Sequence, residues 1–382
     1  MKMEKMKMKS GQRDTGLDLT RIVAFLCVVS VHFFSNSGYY SQWYDARIEY
    51  IMMFIRMLSM VCVPLFLLLT GYLMSGKAIE LNRKSLLGYA KRLVPVLLTY
   101  ALSELVILLF ENTVMNDSLG LRNYFLMLFG FYHYSWYIEM YIGLFLLIPF
   151  LNLIWRSLPE KHSRQCLIFV LLLLTTIPTF FNQLDLTTPG AVLDPGLGVK
   201  ASKLAPFWWE NLYPLTYYFL GAYFREHIDI KALKTWKLSA LLLGFLLMFE
   251  IFNIRCGEYG LYWPAWTYYG GYQTVIIAVL VFLGINSVRY PTLPAPAAKG
   301  IGFVSKITLA AYLVSYCPDS YLYMALKNEK YLVIERFSSW LPTVAKSALI
   351  SLALAAVVCF VQKLTERAFS SALRAIKGGV KE

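Results

Sequence analysis

"RIVAFLCVVSVHFF" occupies residues 21–34. The run is greasy enough to enter a bilayer, yet it opens on Arg21 and carries His32 near its end. An ionisable imidazole in hydrocarbon is costly, because no water is at hand to solvate it. In a helix, the step from residue 21 to residue 32 is about three turns, which stacks Arg21 and His32 on one face roughly 16 Å apart. Asp18, one turn before Arg21, is spaced to pair with it. Such a stripe has to face the interior of a helix bundle or a polar cavity.

The rest of the 382-residue chain has the same character. Hydrophobic residues make up 58% and charged residues 15%, with a mean hydropathy of +0.54. That excludes an ordinary soluble protein. Apolar blocks near bilayer length predict spans near 17–34, 54–73, 93–109, 136–154, 166–181, 212–224, 238–254, 270–286, 305–323 and 344–362. The fold expected is an all-α polytopic integral membrane protein of about ten transmembrane helices.

The net charge of +13 would suit nucleic acid, but its distribution does not. Lys and Arg collect in the N-tail, the even-numbered connections and the C-tail, so the positive-inside rule puts both termini in the cytoplasm. The N-terminal run lacks a small-x-small cleavage site and reads as an uncleaved first span. The expected organisation is a basic N-tail at 1–16, a membrane domain at 17–364 and a C-tail at 365–382. Five of the six cysteines lie in or beside spans, which implies no disulfide framework.

Taken alone, His32 reads as an interfacial histidine satisfied by water or a carbonyl, or as a general base for a hydroxyl proton. A metal site is not expected, since no second His or Cys stands at ligand spacing. Glu104, Glu139, Glu250 and Asp319 are the other ionisable residues within spans. Glu139, in "HYSWYIEMY" beside His133 and Trp136, is the preferred orienter of the histidine or contact for an acceptor. The connection "SGKAIELNRKSLLGYAKRLVP" (75–95) carries Lys77, Arg83, Lys84, Lys91 and Arg92. Those cations either set topology or form a phosphate-binding patch. Outer segments near 110–135, 182–211 and 255–273 are rich in Trp and Tyr, as an aromatic belt or a sugar-stacking floor.

Four stretches carry a family resemblance. "RDTGLDLTRIVAFLCVVSVHF" (13–33) resembles the opening of the membrane acyltransferase-3 family, with Arg21, His32 and Asp18 at the family spacing. "VPLFLLLTGYLMSG" (63–76), "FYHYSWYIEMYIGLFLLIPFLN" (131–152) and "VSKITLAAYLV" (304–314) are similar to later motifs in the same order. Departures are a missing late histidine, where Ser315 and Tyr316 stand, Tyr89 in place of the first Arg of an Arg-x-x-Arg pair, and an extra residue between His133 and Trp136.

The resemblance, closest to stand-alone O-acetyltransferases, implies a multi-pass enzyme of the bacterial inner membrane. It would transfer an acyl group from acetyl-CoA to a hydroxyl of a cell-envelope glycan or its lipid-linked precursor. His32 would act as base with Arg21, Asp18 and Glu139. Arg21, Arg83, Lys84, Lys91 and Arg92 would hold the donor's phosphates, and His133, Trp136, Thr70 and Tyr72 would contact substrate. The rival reading is a transporter or flippase for a glycan or small solute. Against it, no pair of Gly- or Pro-broken segments in matching halves marks an inverted repeat.

Overall fold

The structure is a computed structural model that describes residues 14–39, 46–130, 134–181, 206–256, 267–291, 293–327 and 333–379. The described residues are helical, with no strand among them. Helix α1 (Thr15–Asn36) starts at Asp14, whose carboxylate accepts from the amides of Gly16 and Leu17. That cap satisfies two of the donors a helix start leaves open. One face of α1 buries Phe25, Val28, Val29 and Phe33, and the helix is central to the bundle.

Prolines decide where the following helices break. Helices α2 (Ala46–Ser59) and α3 (Cys62–Met74) share one apolar stretch. Pro64 has no N–H for the carbonyl of Met60, so the chain stops being helical there and restarts. Helices α4 (Arg83–Ala90) and α5 (Val94–Thr113) are separated in the same way ahead of Pro95. After α6 (Leu121–Gly130) come α7 (Trp136–Ser157), α8 (Lys161–Thr175), α9 (Ile177–Phe181) and α10 (Phe207–Glu210). Then follow α11 (Tyr213–His227), α12 (Thr235–Cys256) and α13 (Tyr272–Ser287). The chain ends with α14 (Ala295–Val314), α15 (Tyr316–Leu326) and α16 (Val333–Gly379).

Among the described residues, eight helical segments are long and apolar enough to cross a membrane. The expected spans near 212–224 and 270–286 correspond to α11 and α13, which run only 15 and 16 residues. Both carry polar side chains and lie against other helices, so protein rather than lipid surrounds much of them. The expected span at 305–323 is corrected: the apolar helix begins at Ala295 and breaks at Ser315. Pro318 is again the cause, since it cannot donate to Val314. Leu146, Leu147, Phe150, Leu153 and Ile154 on α7 point outward, as do Leu243, Leu247 and Ile251 on α12. These are the lipid-facing positions of a multi-pass membrane protein.

Helices α3 and α11 approach each other closely. A Cβ on Gly71 would lie 2.0 Å from the carbonyl oxygen of Tyr218, and one on Gly221 would lie 2.3 Å from that of Leu68. Small residues that let backbones touch supply the van der Waals contact that holds helices together in lipid. This contact fixes α3, and α3 forms one wall of the cavity described below.

Candidate active site

Two ends of α1 carry two polar clusters. At the N-terminal end, Arg21 Nη1 lies 3.2 Å from Asp18 Oδ1 and 3.4 Å from Ser305 Oγ on α14. Ser305 Oγ donates to the same Asp18 oxygen at 2.7 Å. The i,i+3 spacing brings Asp18 under Arg21, and α14 locks the pair in place. Asp18 is buried, whereas Arg21 keeps part of its side chain open to the cavity.

At the other end, His32 Nδ1 lies 3.0 Å from Asp319 Oδ2. Asp319 is fully buried, and its second oxygen accepts from Ser347 Oγ on α16. The break at Ser315 redirects the chain so that α15 packs on α1 and delivers this carboxylate. The Tyr134 ring stacks on the imidazole at 3.6 Å between centroids, with 28° between planes. Asn36 donates to the Tyr134 hydroxyl at 2.6 Å, and the Tyr312 hydroxyl donates to the Tyr134 carbonyl. A carboxylate on Nδ1 holds the tautomer in which Nε2 carries the lone pair, the arrangement a general base needs.

A cavity of about 530 Å³ opens beside the Arg21 end, bounded by α1, α3, α5, α7 and α14; Tyr312, whose ring lies 6.3 Å from that of His32, lines it, and His32 itself does not. Arg21, Lys77, Ser305 and Lys306 line one end, and Phe66, Tyr137 and Tyr312 line the other. Leu69, Leu73, Val96 and Leu309 make its sides apolar. At the charged mouth, Lys77 stands close to Arg92 and Arg225, and these cations push its ammonium below the usual lysine pKa, after partial desolvation, which is the larger cause. Arg225 also donates to the carbonyls of Tyr72 and Leu73, at the end of α3. Among the described residues no carboxylate pairs with Lys77, Arg92 or Arg225. Like charges gathered without counter-ions make a mouth suited to an anion with several phosphates.

The sequence-derived candidates divide accordingly. Arg21, Asp18 and His32 lie on α1 as the stripe requires. Thr70 lines the cavity, but its hydroxyl donates to the Phe66 carbonyl at 2.8 Å. Tyr72 lies beside Phe282 rather than in the cavity lining. Trp136 stacks on Tyr269 at 5.6 Å. His133 falls outside the described residues, as do much of 182–211 and 255–273.

The position beside His32 expected of Glu139 is held by another carboxylate. Glu139 is exposed on α7, and the carboxylate that meets His32 is Asp319. Arg83, Lys84 and Lys91 are likewise exposed and absent from the cavity lining; only Arg92 of that group stands beside Lys77. Arg83 and Lys84 lie in the first turn of α4, and Lys91 lies in the turn that follows it. Glu104 is buried and accepts from Ser135 Oγ at 2.6 Å, and Glu250 is buried on α12. Ser347, Ser305, Lys306, Arg225, Tyr134 and Tyr312 were not among the candidates. No local pattern marks them, because each joins the site through tertiary packing.

Among the described residues no group of His, Cys, Asp and Glu is placed to hold a metal ion. The family model of acyltransferase family 3, described as an acyltransferase domain, matches residues 14–361. No curated protein matches the chain, and no solved structure does.

Proposed function

As a member of the acyltransferase-3 family, the chain is a membrane acyltransferase, and from that premise we propose that it uses acyl-CoA as donor with His32 as general base. The acyl group is acetyl, and the acceptor is a hydroxyl of a cell-envelope glycan or its lipid-linked precursor, in the bacterial inner membrane. The observation that carries this reading is the 3.0 Å contact of Asp319 with His32 Nδ1, next to Tyr312, which lines the aromatic end of a cavity whose mouth is cationic.

The donor's phosphates sit among Lys77, Arg92, Arg225, Lys306 and Arg21, on the cytoplasmic side. Its uncharged arm follows the apolar walls towards Tyr312. The acceptor hydroxyl arrives from the outer side. His32 Nε2 takes its proton, and the oxygen attacks the thioester carbonyl carbon. The C–S bond then breaks, the acyl group stays on the acceptor oxygen, and the leaving thiolate recovers the proton from His32. Asp319 offsets the positive charge that His32 carries between the two transfers. Ser347 holds Asp319 for that duty.

The test is purified protein in detergent with acetyl-CoA labelled in the acetyl group. Slow release of labelled acetate, or transfer to an added glycan, is expected from the native protein. It should be lost in His32→Ala and retained when a lipid-facing residue such as Leu243 is changed to Ala. Absence of both binding and turnover of any acyl-CoA would overturn the reading and leave transport as its replacement.

A further inference from the structure

The two ends of the cavity are chemically unlike, and only one of them adjoins His32. Along α14, Ser305 touches Arg21 at the charged end, and Tyr312 stands two turns further on, about 10 Å away. Along α3, Phe66 and Met74 bound the same space roughly 12 Å apart, and Lys77 follows just past the end of that helix. A donor whose phosphates are held at the charged end therefore presents its acyl group at the other.

That other end is lined by a row of rings. Phe66 meets Tyr137 at 5.9 Å between centroids, and Tyr137 meets Tyr312 edge-on at 5.7 Å. Tyr312 lies 6.3 Å from the imidazole of His32. Tyr137 and Tyr312 are buried, and the Tyr312 hydroxyl is tied to the Tyr134 carbonyl, so its ring is held across the end. His32 stands beside Tyr312 and does not itself line the cavity.

We infer that Phe66, Tyr137 and Tyr312 form the end wall of the acyl-binding site and restrict the donor to short acyl groups. The inference rests on the donor reading above and adds to it the residues that set acyl length. The methyl of an acetyl thioester meets these rings without displacing them. Each added methylene has to displace an aromatic ring from a packed and hydrogen-bonded position. Excluding one methylene from a pocket separates donors by about 10- to 200-fold.

The experiment measures kcat/KM for acetyl-, butyryl- and hexanoyl-CoA with the native protein, Phe66→Ala, Tyr312→Ala and Tyr312→Phe. The native protein should prefer acetyl-CoA over butyryl-CoA at least tenfold. Phe66→Ala and Tyr312→Ala should raise the hexanoyl-to-acetyl ratio tenfold or more, while Tyr312→Phe, which keeps the ring, preserves the native ranking. Thermal unfolding in detergent checks that each variant is folded, and Phe66→Ala decides the matter if Tyr312→Ala is not. A native protein that uses hexanoyl-CoA as well as acetyl-CoA would overturn the inference. So would a folded Phe66→Ala variant with the native ratio. Failure of the donor reading is distinct: it is a native protein that turns over no acyl-CoA at all.

Discussion

Asp319 Oδ2 and His32 Nδ1 lie 3.0 Å apart although 287 residues separate them in the chain. The carboxylate is fully buried, so its contact with the imidazole is not diluted by water. If it fixes the tautomer and balances the imidazolium, Asp319→Asn keeps the shape and loses the function. The expected result is a fall in kcat of about 10²- to 10⁴-fold with the KM for acyl-CoA nearly unchanged. Ser347→Ala, which only loosens the carboxylate, should cost about tenfold. Steady-state kinetics with native-like thermal unfolding decides the point, and a fully active Asp319→Asn variant would remove Asp319 from the mechanism.

The Arg21–His32 stripe was legible in the sequence because helical periodicity is local, and one short stretch contains both residues. The partner of His32 was not. Glu104, Glu139, Glu250 and Asp319 are alike as carboxylates in apolar surroundings, and sequence proximity to His133 and Trp136 favoured Glu139. The choice depends on the helix break before Pro318 and on the packing of α15 against α1, neither of which a periodicity pattern contains. The connection at 75–95 was legible as a cluster of cations, although much of it is helical. Which of its charges turn towards the cavity follows from the orientation of α4, and Arg225 and Lys306 reach the mouth from distant helices. Membrane class and most spans came directly from hydropathy, whereas the short polar helices α11 and α13 gave a fainter signal.

The α3–α11 contact predicts an effect on folding rather than on chemistry. A methyl at Gly71 would overlap the Tyr218 carbonyl, and backbone on a packed helix cannot yield as a side-chain end can. Gly71→Ala and Gly221→Ala should therefore force the helices apart. Overpacking of this kind costs about 1–3 kcal/mol. Both variants should unfold at lower temperature in detergent, whereas Gly244→Ala, with open space around its Cβ position, should not. Equal melting temperatures for all three would refute the close-packing account.

Donor affinity should divide the basic residues into two groups. Lys77→Ala, Arg92→Ala and Arg225→Ala each remove a cation from the mouth, and a hydrogen bond to a charged group contributes about 1.5–3 kcal/mol. The KM for acetyl-CoA should rise at least tenfold in each, with kcat little changed. Arg83→Ala, Lys84→Ala and Lys91→Ala should change KM by less than threefold, because these side chains point away from the cavity. A donor truncated to the pantetheine thioester provides the control. It lacks the phosphates, so the two groups of variants should treat it alike.

The lowered pKa of Lys77 gives the mouth a pH dependence of definite sign. Partial desolvation is the larger cause, and Arg92 and Arg225 add repulsion. The ammonium therefore loses its proton at a lower pH than an ordinary lysine, near 10.4. Phosphate binding needs the charged form, so kcat/KM for acetyl-CoA should fall on the alkaline side before that pH is reached. The profile of kcat/KM is the one to read, because it reports the enzyme without donor, and bound phosphate would itself raise the lysine's pKa. Arg92→Ala removes one neighbouring charge and should move the alkaline limb upward while weakening binding overall. Lys77→Arg stays charged throughout the range and should flatten the limb. An alkaline limb that stays in place in Lys77→Arg would show that some other group controls it, and Lys77 would then have no part in holding the donor.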